Sequence, residues 1–182
     1  MKIFPTSIKG LKVIEPEIFY DSRGYFFESY NQNLFLKKLN NFKIIQDNES
    51  KSHKGVLRGF HFQNPPFEQS KLVRCVEGEI LDIALDLRKK SSTYGKHEKV
   101  VLSGDNKKQF FIPRGFAHAF LVLSKTAIIS YKVDNVYSPQ HESGLIWNDT
   151  SLLIDWGANN LKLIISEKDK NLKKFKNFES PF

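Results

Sequence analysis

The chain has 182 residues, and its 28 Lys and Arg outnumber its 20 Asp and Glu to give a net charge of +8. Hydrophobic residues make up 40% of the sequence, which is enough for one packed domain and excludes a disordered chain. No apolar run approaches the roughly 20 residues of a membrane span, and the first residues do not resemble a secretory signal, so neither membrane insertion nor secretion is expected.

The sequence contains one cysteine, Cys75. A single cysteine excludes a disulfide scaffold within the chain and a cysteine-rich zinc module. The cytoplasm, which is reducing, is therefore the expected compartment.

The positive charge is compatible with two kinds of anionic partner. Lysines cluster near the C-terminus, and we interpret them as the solvated face of a surface helix: Lys168, Lys170, Lys173, Lys174 and Lys176. No zinc-finger spacing, RNP-like motif or long basic tract is present, so nucleic-acid binding is not expected. A nucleotide or sugar phosphate accounts for the same charge.

Short strands and tight turns fill the middle of the chain, and helices are predicted only at its edges. One helix is predicted over residues 31–39 and another from Ser166, which is a plausible N-cap. The predicted strands are Lys71–Val76, Glu79–Leu87, Lys99–Leu102, Gln109–Ile112, His118–Leu123 and Ala127–Val133. This pattern predicts an all-β antiparallel sandwich or barrel with a few short peripheral helices.

Two of these strands alternate with a period of two residues. In Glu79–Leu87 the leucines and Ile83 share one face, which predicts one buried face for the strand. In Ala127–Val133 the inward face carries Ala127, Ile129, Tyr131 and Val133, so the Tyr131 ring is expected in the core or in a cavity. A packing role and a catalytic role for this phenol are equally compatible with the local pattern.

Residues 55–63 place Arg58 and His61 within an apolar β segment, where both are costly to bury without partners. On a regular strand these side chains point to opposite faces, so a shared cavity requires a bulge, and Gly59 is where it would fall. A sheet-edge arginine and a hydrogen-bonded core histidine are the alternative. Gln63, two residues beyond His61, favours a functional role for the cluster.

Two other residues, His118 and Asp169, stay ambiguous on local grounds. His118 follows a corner at residues 113–115, where histidines are common. Asp169, three residues after Ser166, resembles the acid of a capping box, which is the interpretation we favour locally. A zinc or iron site is not expected: Gln63 replaces the second histidine of a His-x-His pair, and His53, His97 and His141 lie in polar, loop-like segments.

Several segments together resemble the dTDP-4-dehydrorhamnose 3,5-epimerase family of nucleotide-sugar epimerases. They follow the family order across nearly the whole chain: DSRGYFFE at 21–28, QDN at 46–48, GVLRGFHFQ at 55–63, KLVR at 71–74, PRGFAHAF at 113–120, YKV at 131–133, YSPQHE at 137–142 and SEKD at 166–169. The resemblance implies a cupin-like jelly roll, a homodimer, a nucleotide-diphosphate sugar as substrate, and neither metal nor other cofactor.

The resemblance also implies roles by position. His61 is expected to be the general base, Asp169 the carboxylate that orients it, Tyr131 the acid on the opposite face and Lys71 the cation at the enolate oxygen. Eight further residues fall where the family contacts its substrate: Arg23, Glu28, Gln46, Asn48, Arg58, His118, Glu142 and Lys168.

The resemblance implies one reaction, the epimerisation of a nucleotide-linked 4-keto-6-deoxy sugar during surface-polysaccharide biosynthesis, and these groups suit that chemistry. The C3 and C5 protons are weakly acidic because each carbon adjoins the carbonyl. Inversion removes a proton from one face and adds one to the other, so two groups on opposite sides are required. A fixed cation stabilises the enolate, and arginines match the diphosphate.

Departures from the family pattern leave alternatives open. Glu49 stands where the family usually has histidine, and residues 64–70 differ slightly from the commoner form. The nucleotide (dTDP or GDP) and the sugar length (hexose or heptose) therefore stay open. So do a C3- or C5-only epimerase, a 3,4-ketoisomerase and a non-catalytic nucleotide-sugar-binding module. We expect a single domain over residues 1–182, with an arm to residue 50, a core barrel to 135 and a C-terminal segment.

Overall fold

The computed structural model describes residues 1–39, 41–158 and 161–182, and strands dominate it. The strands are β1 (Lys2–Pro5), β2 (Lys12–Glu15), β3 (Ile18–Asp21), β4 (Gly24–Phe27), β5 (Gln46–His53), β6 (Leu57–Gln63), β7 (Lys71–Glu77), β8 (Glu79–Asp86), β9 (His97–Ser103), β10 (Gln109–Ile112), β11 (Phe116–Val122), β12 (Thr126–Val133) and β13 (Glu142–Gly144). The α-helices are α1 (Gln32–Lys38) and α2 (Glu167–Lys170), and 3-10 turns span Pro139–His141, Thr150–Leu152 and Phe175–Asn177.

The strands form two main sheets and a separate hairpin. One sheet has the order β1-β2-β10-β7-β12-β5, and the other has the order β13-β6-β11-β8-β9. All pairings within these sheets are antiparallel. Strands β3 and β4 pair only with each other. The predicted all-β antiparallel sandwich is confirmed, and the division into arm, core and C-terminal segment stays a prediction.

The main core lies between the two sheets. Ala127 and Ile129 of β12 enter it from the six-stranded sheet, and Ala84 and Phe120 enter it from the five-stranded sheet. Tyr131 packs against the same cluster, so the predicted alternation of β12 is confirmed. Closing two half-apolar faces on each other in this way removes both from water, which is the main stabilising contribution in a sandwich.

A second core covers the outer face of the five-stranded sheet. Ile83 and Leu85 of β8 belong to it, together with Trp156, and Phe178 and Phe182 of the C-terminal segment pack against it. Because β8 also sends Ala84 into the main core, both of its faces are buried. The expectation of one buried face is therefore wrong, and the reason is that the C-terminal segment returns across this sheet.

Both predicted helices are present, but the second is much shorter than the sequence suggests. Helix α1 is confirmed, and the Asn31 side chain caps it by accepting the Leu34 N–H at 3.1 Å. Helix α2 has only one turn and ends at Lys170, so a solvated helix face from residue 168 to 176 is wrong. Beyond α2 the chain runs beside β13, where Lys173 forms a bridge with Leu145 and pairs with the sheet instead of continuing the helix.

Some expectations about single elements also change. His53 ends β5 and His97 begins β9, so these two histidines lie in edge strands and not in loops, because backbone pairing there does not depend on an apolar side chain. Over the residues that the structure describes, no helix combines the length and the apolar composition needed to cross a bilayer.

Candidate active site

A cavity of 290 Å³ opens between the two sheets. Strands β5, β7 and β12 supply side chains from the six-stranded sheet, and β6 and β13 supply them from the five-stranded sheet. Polar side chains dominate its lining, which comprises Gln46, Asn48, His61, Phe62, Gln63, Gln69, Lys71, Tyr131, Tyr137 and Glu142. Six of the predicted site residues thus meet in one place.

Strand β6 is irregular at the predicted bulge. His61 pairs with His118 and Arg58 pairs with Phe120, so two residues of β6 stand opposite one residue of β11. The extra residue changes which face later side chains occupy. The bulge predicted at this point is confirmed.

The bulge brings the arginine and the histidine to the same face. Leu57 and Phe60 both pack in the outer core, although an odd spacing separates them. Arg58 and His61 consequently share the inner face. Gly59 permits this path because its φ is +115° and a Cβ there would lie 2.5 Å from the His118 carbonyl oxygen.

His61 forms an ion-pair-type contact with a buried carboxylate. Its Nε2 lies 2.8 Å from Asp169 Oδ1, and Asp169 Oδ2 accepts the Gly59 N–H at 3.2 Å. Burial alone would raise the pKa of Asp169, but the hydrogen bond and charge interaction with His61 keep it below its ordinary value. Since the carboxylate accepts the Nε2 proton, Nδ1 is left as the basic nitrogen.

The capping-box interpretation of Asp169 changes. Ser166 does cap α2, because its Oγ accepts the Asp169 N–H at 3.1 Å. The Asp169 carboxylate, however, points to His61 and Gly59. One residue is thus capped through its backbone and engages the imidazole through its side chain.

Tyr131 lines the cavity from the sheet opposite His61. Burial raises its pKa, and the positive charge of Arg58 opposes that rise. Arg58 itself is exposed, and its Nε donates to Ser52 Oγ at 3.3 Å. The phenol therefore keeps its proton at neutral pH and has a cation nearby to stabilise the phenolate.

Lys71 lines the cavity beside a second histidine–carboxylate pair. Burial lowers the pKa of Lys71 to about 8, and the charges of Asp82 and Glu142 oppose the fall. His118 Nε2 lies 2.6 Å from Asp82 Oδ1, with both side chains buried, and it does not line the cavity. Burial lowers the pKa of His118; the charge and hydrogen bond of Asp82 oppose that fall, and the charges of Lys71 and His61 add to it.

The mouth of the cavity is held by hydrogen bonds around Glu142. Its Oε2 accepts from Lys168 Nζ at 2.6 Å and from the Tyr137 hydroxyl at 2.8 Å. Burial would raise the pKa of Glu142, but these two donors lower it. Gln46 adds two bonds, since its Oε1 accepts the Tyr137 N–H at 3.2 Å and its Nε2 donates to Asn48 Oδ1 at 2.8 Å.

Arg23 and Glu28 do not join this cluster. Arg23 lies in the β3–β4 hairpin with its side chain 87% exposed, and it pairs with Asp21 at 2.5 Å. Glu28 accepts from Asn31 Nδ2 at 3.1 Å at the surface. Neither residue lines the cavity of its own chain.

Of the two departures from the family pattern, only one reaches the cavity. Glu49 is exposed, because the inward positions of β5 are those of Gln46 and Asn48. Its side chain therefore lies on the outer face of the sheet and not in the cavity. In the 64–70 segment, Gln69 does line the cavity.

Gln69, Tyr137 and Asp82 have no role in the sequence-based prediction. Tyr137 begins the YSPQHE motif, and Asp82 is an acid flanked by apolar residues in the middle of β8, so the sequence carried a signal for each of them. Gln69 lies in the 64–70 segment, which differs from the family pattern, and no feature of the sequence marked it as a site residue. Over the described ranges, no group of three or more His, Cys, Asp or Glu is placed to bind a metal ion.

A jelly-roll sandwich that holds a histidine–carboxylate pair, a phenol and a half-buried lysine on one cavity defines an enzyme of acid–base chemistry. A family model described as dTDP-4-dehydrorhamnose 3,5-epimerase matches residues 5–177. The chain belongs to that family, and the resemblance seen in its motifs is confirmed.

Relatives cover nearly the whole chain. A dTDP-4-dehydrorhamnose 3,5-epimerase from Methanothermobacter thermautotrophicus is 49% identical over 173 residues, 94% of this chain and 93% of that one. A dTDP-6-deoxy-D-glucose-3,5-epimerase from Legionella pneumophila, solved with dTDP-4-keto-L-rhamnose, has a TM-score of 0.92 at 42% identity and covers 98% of this chain and 94% of that one. A 3'-monoepimerase from Streptomyces bikiniensis, solved with dTDP-quinovose, has a TM-score of 0.89 at 31% identity, with coverages of 94% and 86%.

Proposed function

We propose that this chain epimerises a dTDP-linked 4-keto-6-deoxy sugar at C3 and C5. The observation that carries the proposal is the placement of His61 and Tyr131 on one cavity, each from a different sheet. A sugar ring between them meets a base on one face and an acid on the other. Relatives of this chain are named as epimerases of a dTDP-linked sugar or are solved with one bound.

The first step is proton abstraction by His61. Nδ1 takes the proton from C3 or C5, the electron pair of the C–H bond becomes the C=C bond of the enolate, and the π pair of the C4 carbonyl moves onto its oxygen. The imidazole becomes an imidazolium, which the Asp169 carboxylate at 2.8 Å stabilises. An ion pair that strengthens as charge develops lowers the barrier instead of merely binding the substrate.

The enolate oxygen then requires a cation, which Lys71 supplies. Lys71 lines the cavity from β7, the strand beside Tyr131 in the six-stranded sheet, and faces the wall that carries His61. In a site of low dielectric a fixed charge interacts with the oxyanion more strongly than water does. Lys71 must be protonated to do so.

Tyr131 completes the inversion by donating its phenolic proton to the opposite face of the carbon. The resulting phenolate is stabilised by the nearby charge of Arg58, and the enolate electron pair forms the new C–H bond. Exchange with water then removes the proton from His61 and restores one to Tyr131, so the enzyme returns to its starting state.

The nucleotide end of the substrate is proposed to lie at the mouth of the cavity. Tyr137 is half exposed there and offers a flat aromatic face for a planar base. Gln46 and Asn48 line the cavity and offer amide groups. Lys168, which pairs with Glu142, and the exposed Arg58 offer positive charge for the diphosphate. His118 does not line the cavity, and it acts on the site through its charge interaction with Lys71.

Solvent exchange in heavy water tests the reaction. The protein is incubated in D2O with dTDP-4-keto-6-deoxyglucose, and deuterium at C3 and C5 is followed by NMR. We expect deuterium at both carbons together with the inverted product. Absence of exchange with this substrate and with GDP-linked 4-keto-6-deoxy sugars would overturn the proposal.

A C3-only epimerase is the second candidate, because a 3'-monoepimerase shares the fold at 31% identity. Deuterium confined to C3, with a product inverted only there, would favour that activity. A GDP-linked heptose is tested in the same assay as a second substrate. A non-catalytic binding module would give nucleotide binding without exchange.

We also propose that the protein is a homodimer in which each chain's hairpin completes its partner's site. The β3–β4 hairpin exposes aromatic surface, with Tyr20 71% and Phe26 69% accessible. Arg23 and Glu28 lie on or beside this hairpin and away from their own cavity. Exposed aromatic surface of this kind usually marks a contact between chains.

Subunit mixing tests the shared site. Arg23→Ala and His61→Asn variants are each expected to be nearly inactive. In a mixed dimer, one site combines an intact His61 with the partner's intact Arg23, so mixing should restore about a quarter of the activity. No recovery in a mixture that sedimentation shows to be dimeric would mean that Arg23 serves its own chain, and a monomer would overturn the dimer itself.

A cytoplasmic location is proposed with the same activity. Cys75 is a buried free thiol, which suits a reducing compartment. Fractionation of cells that carry the native gene tests the location, and recovery outside the cytoplasm would overturn it.

A further inference from the structure

We infer that Gln63 is the positioning residue for Tyr137, and that it thereby sets the affinity for the nucleotide end of the substrate. The inference rests on the proposed function, since it takes Tyr137 as a nucleotide contact. Gln63 is the last residue of β6 and lies two residues beyond His61. It lines the cavity, yet it is only 5% exposed, so water cannot readily replace its hydrogen bonds.

The Gln63 amide bonds to the backbone on both sides of Tyr137. Its Oε1 accepts the Ser138 N–H at 2.7 Å, and its Nε2 donates to the Val136 carbonyl at 3.1 Å. The Tyr137 N–H between them donates to Gln46 Oε1 at 3.2 Å. Two glutamines of the cavity therefore fix the two peptide groups that flank the Tyr137 Cα, although residues 136–138 lie outside any helix or strand.

Gln63 also fixes a second segment. Its Nε2 donates to the Phe67 carbonyl at 2.6 Å, which lies in the turn that leads to Lys71. Asn135 joins the two segments, since its Nδ2 donates to the Pro66 carbonyl at 3.0 Å. A perturbation at Gln63 thus reaches Tyr137 directly and reaches Lys71 only through several further residues.

Only an amide of this length satisfies the arrangement. Two carbonyl oxygens and one N–H converge on the side chain, so it must supply two donors and one acceptor. Glutamate keeps the acceptor, but its carboxylate would face two carbonyl oxygens. Methionine keeps the length and loses all three bonds. Without these bonds the 136–138 segment samples other conformations. Ordering Tyr137 when the nucleotide binds then costs free energy, which weakens binding.

The test measures dTDP binding by calorimetry together with steady-state kinetics. We expect Gln63→Met to weaken dTDP binding about tenfold and to raise KM by a similar factor, with kcat changed less than about threefold. A Tyr137→Ala background should abolish this effect, because Gln63 acts through Tyr137. Additive losses in the double variant, or unchanged dTDP affinity in Gln63→Met, would overturn the inference.

Asn106 supplies a matched control. Its side chain makes the same kind of bonds in the β9–β10 turn, donating to the Val101 carbonyl at 3.0 Å and accepting the N–H groups of Ser103 and Lys108. Asn106→Leu should lower the melting temperature without changing dTDP affinity. A similar loss of affinity in this variant would mean that Gln63 acts only through global stability.

The wild-type protein provides a measurement that needs no variant. The Ser138 amide should be protected from hydrogen exchange before any ligand is added, because Gln63 binds it. Exchange at the rate of a free loop would overturn the inference. If wild-type protein does not bind dTDP at all, the proposed function fails and the inference fails with it, whereas wild-type binding without an effect of Gln63→Met defeats the inference alone.

Discussion

His61 and Tyr131 reach the same cavity from strands of different sheets, β6 and β12. The sandwich itself therefore separates the base from the acid, and a substrate that enters between the sheets presents one face to each. A single-sheet site would place both groups on one side of the ring. Inversion is the reaction that benefits from this separation, since the departing and arriving protons must use opposite faces.

Removal of His61 and removal of Tyr131 should affect the reaction in different ways. His61→Asn is expected to lower solvent exchange and turnover together by at least about 10²-fold, because no base remains. Tyr131→Phe should abolish formation of the inverted product while His61 still exchanges the proton that it abstracts. NMR in D2O, which follows deuterium content and product separately, checks both outcomes, with circular dichroism as the folding control. Equal residual rates of exchange and inversion in Tyr131→Phe would contradict the assignment of the acid.

Asp169 should matter for the charge that develops on His61. Asp169→Asn keeps the size of the side chain but cannot stabilise the imidazolium, so kcat should fall about 10- to 100-fold with little change in KM. The Ser166 cap uses only the Asp169 N–H and should survive the change. A loss confined to thermal stability, with kcat unchanged, would show that the carboxylate serves only the fold.

Lys71 should set the alkaline limit of activity. Its pKa is about 8, so the ammonium is present below that pH and is lost above it. We expect kcat/KM to fall about tenfold per pH unit above this value. The bound diphosphate favours the charged lysine, so the same limb in kcat should lie at higher pH. Lys71→Arg should remove the limb from the accessible range, and a limb that stays in this variant would have to come from another group.

Much of this arrangement follows from local sequence patterns. The alternation of β12 places Tyr131 inward, and Asn31 and Ser166 cap the predicted helices. The bulge at Gly59 follows from the requirement that Arg58 and His61, which a regular strand points to opposite faces, turn to the same face. Each of these predictions depends either on the two-residue alternation of a strand or on the conformational preference of a single residue. Both can be recognised from a few neighbouring residues of the sequence.

Other features depend on contacts that no local pattern encodes. Asp169 meets His61 across 108 residues of sequence, and on local evidence it is only a cap residue. Asp82 looks like the solvent side of β8, but that face is the interior of the sandwich because the C-terminal segment covers the other one. Helix α2 is short for a related reason, since Lys173 pairs with the sheet.

Gly59 provides a last test, because its replacement should disturb both stability and the site. A Cβ at Gly59 would lie 2.5 Å from the His118 carbonyl oxygen and 2.6 Å from Ala119 Cα, at a φ of +115°. Gly59→Ala should therefore cost more than the roughly 1–3 kcal/mol of backbone strain alone, because β6 and β11 must also separate.

Gly157 is the matched control for that measurement. Its φ of +61° is also unfavourable for alanine, but an added Cβ meets nothing within 4 Å, so Gly157→Ala should cost only the backbone strain. Urea unfolding compares the two variants. Since the bulge brings Arg58 and His61 to one face, Gly59→Ala should also lose solvent exchange under conditions where it stays folded. Equal losses of stability in the two variants would mean that the close approach of β6 and β11 is not tight enough to exclude a methyl group.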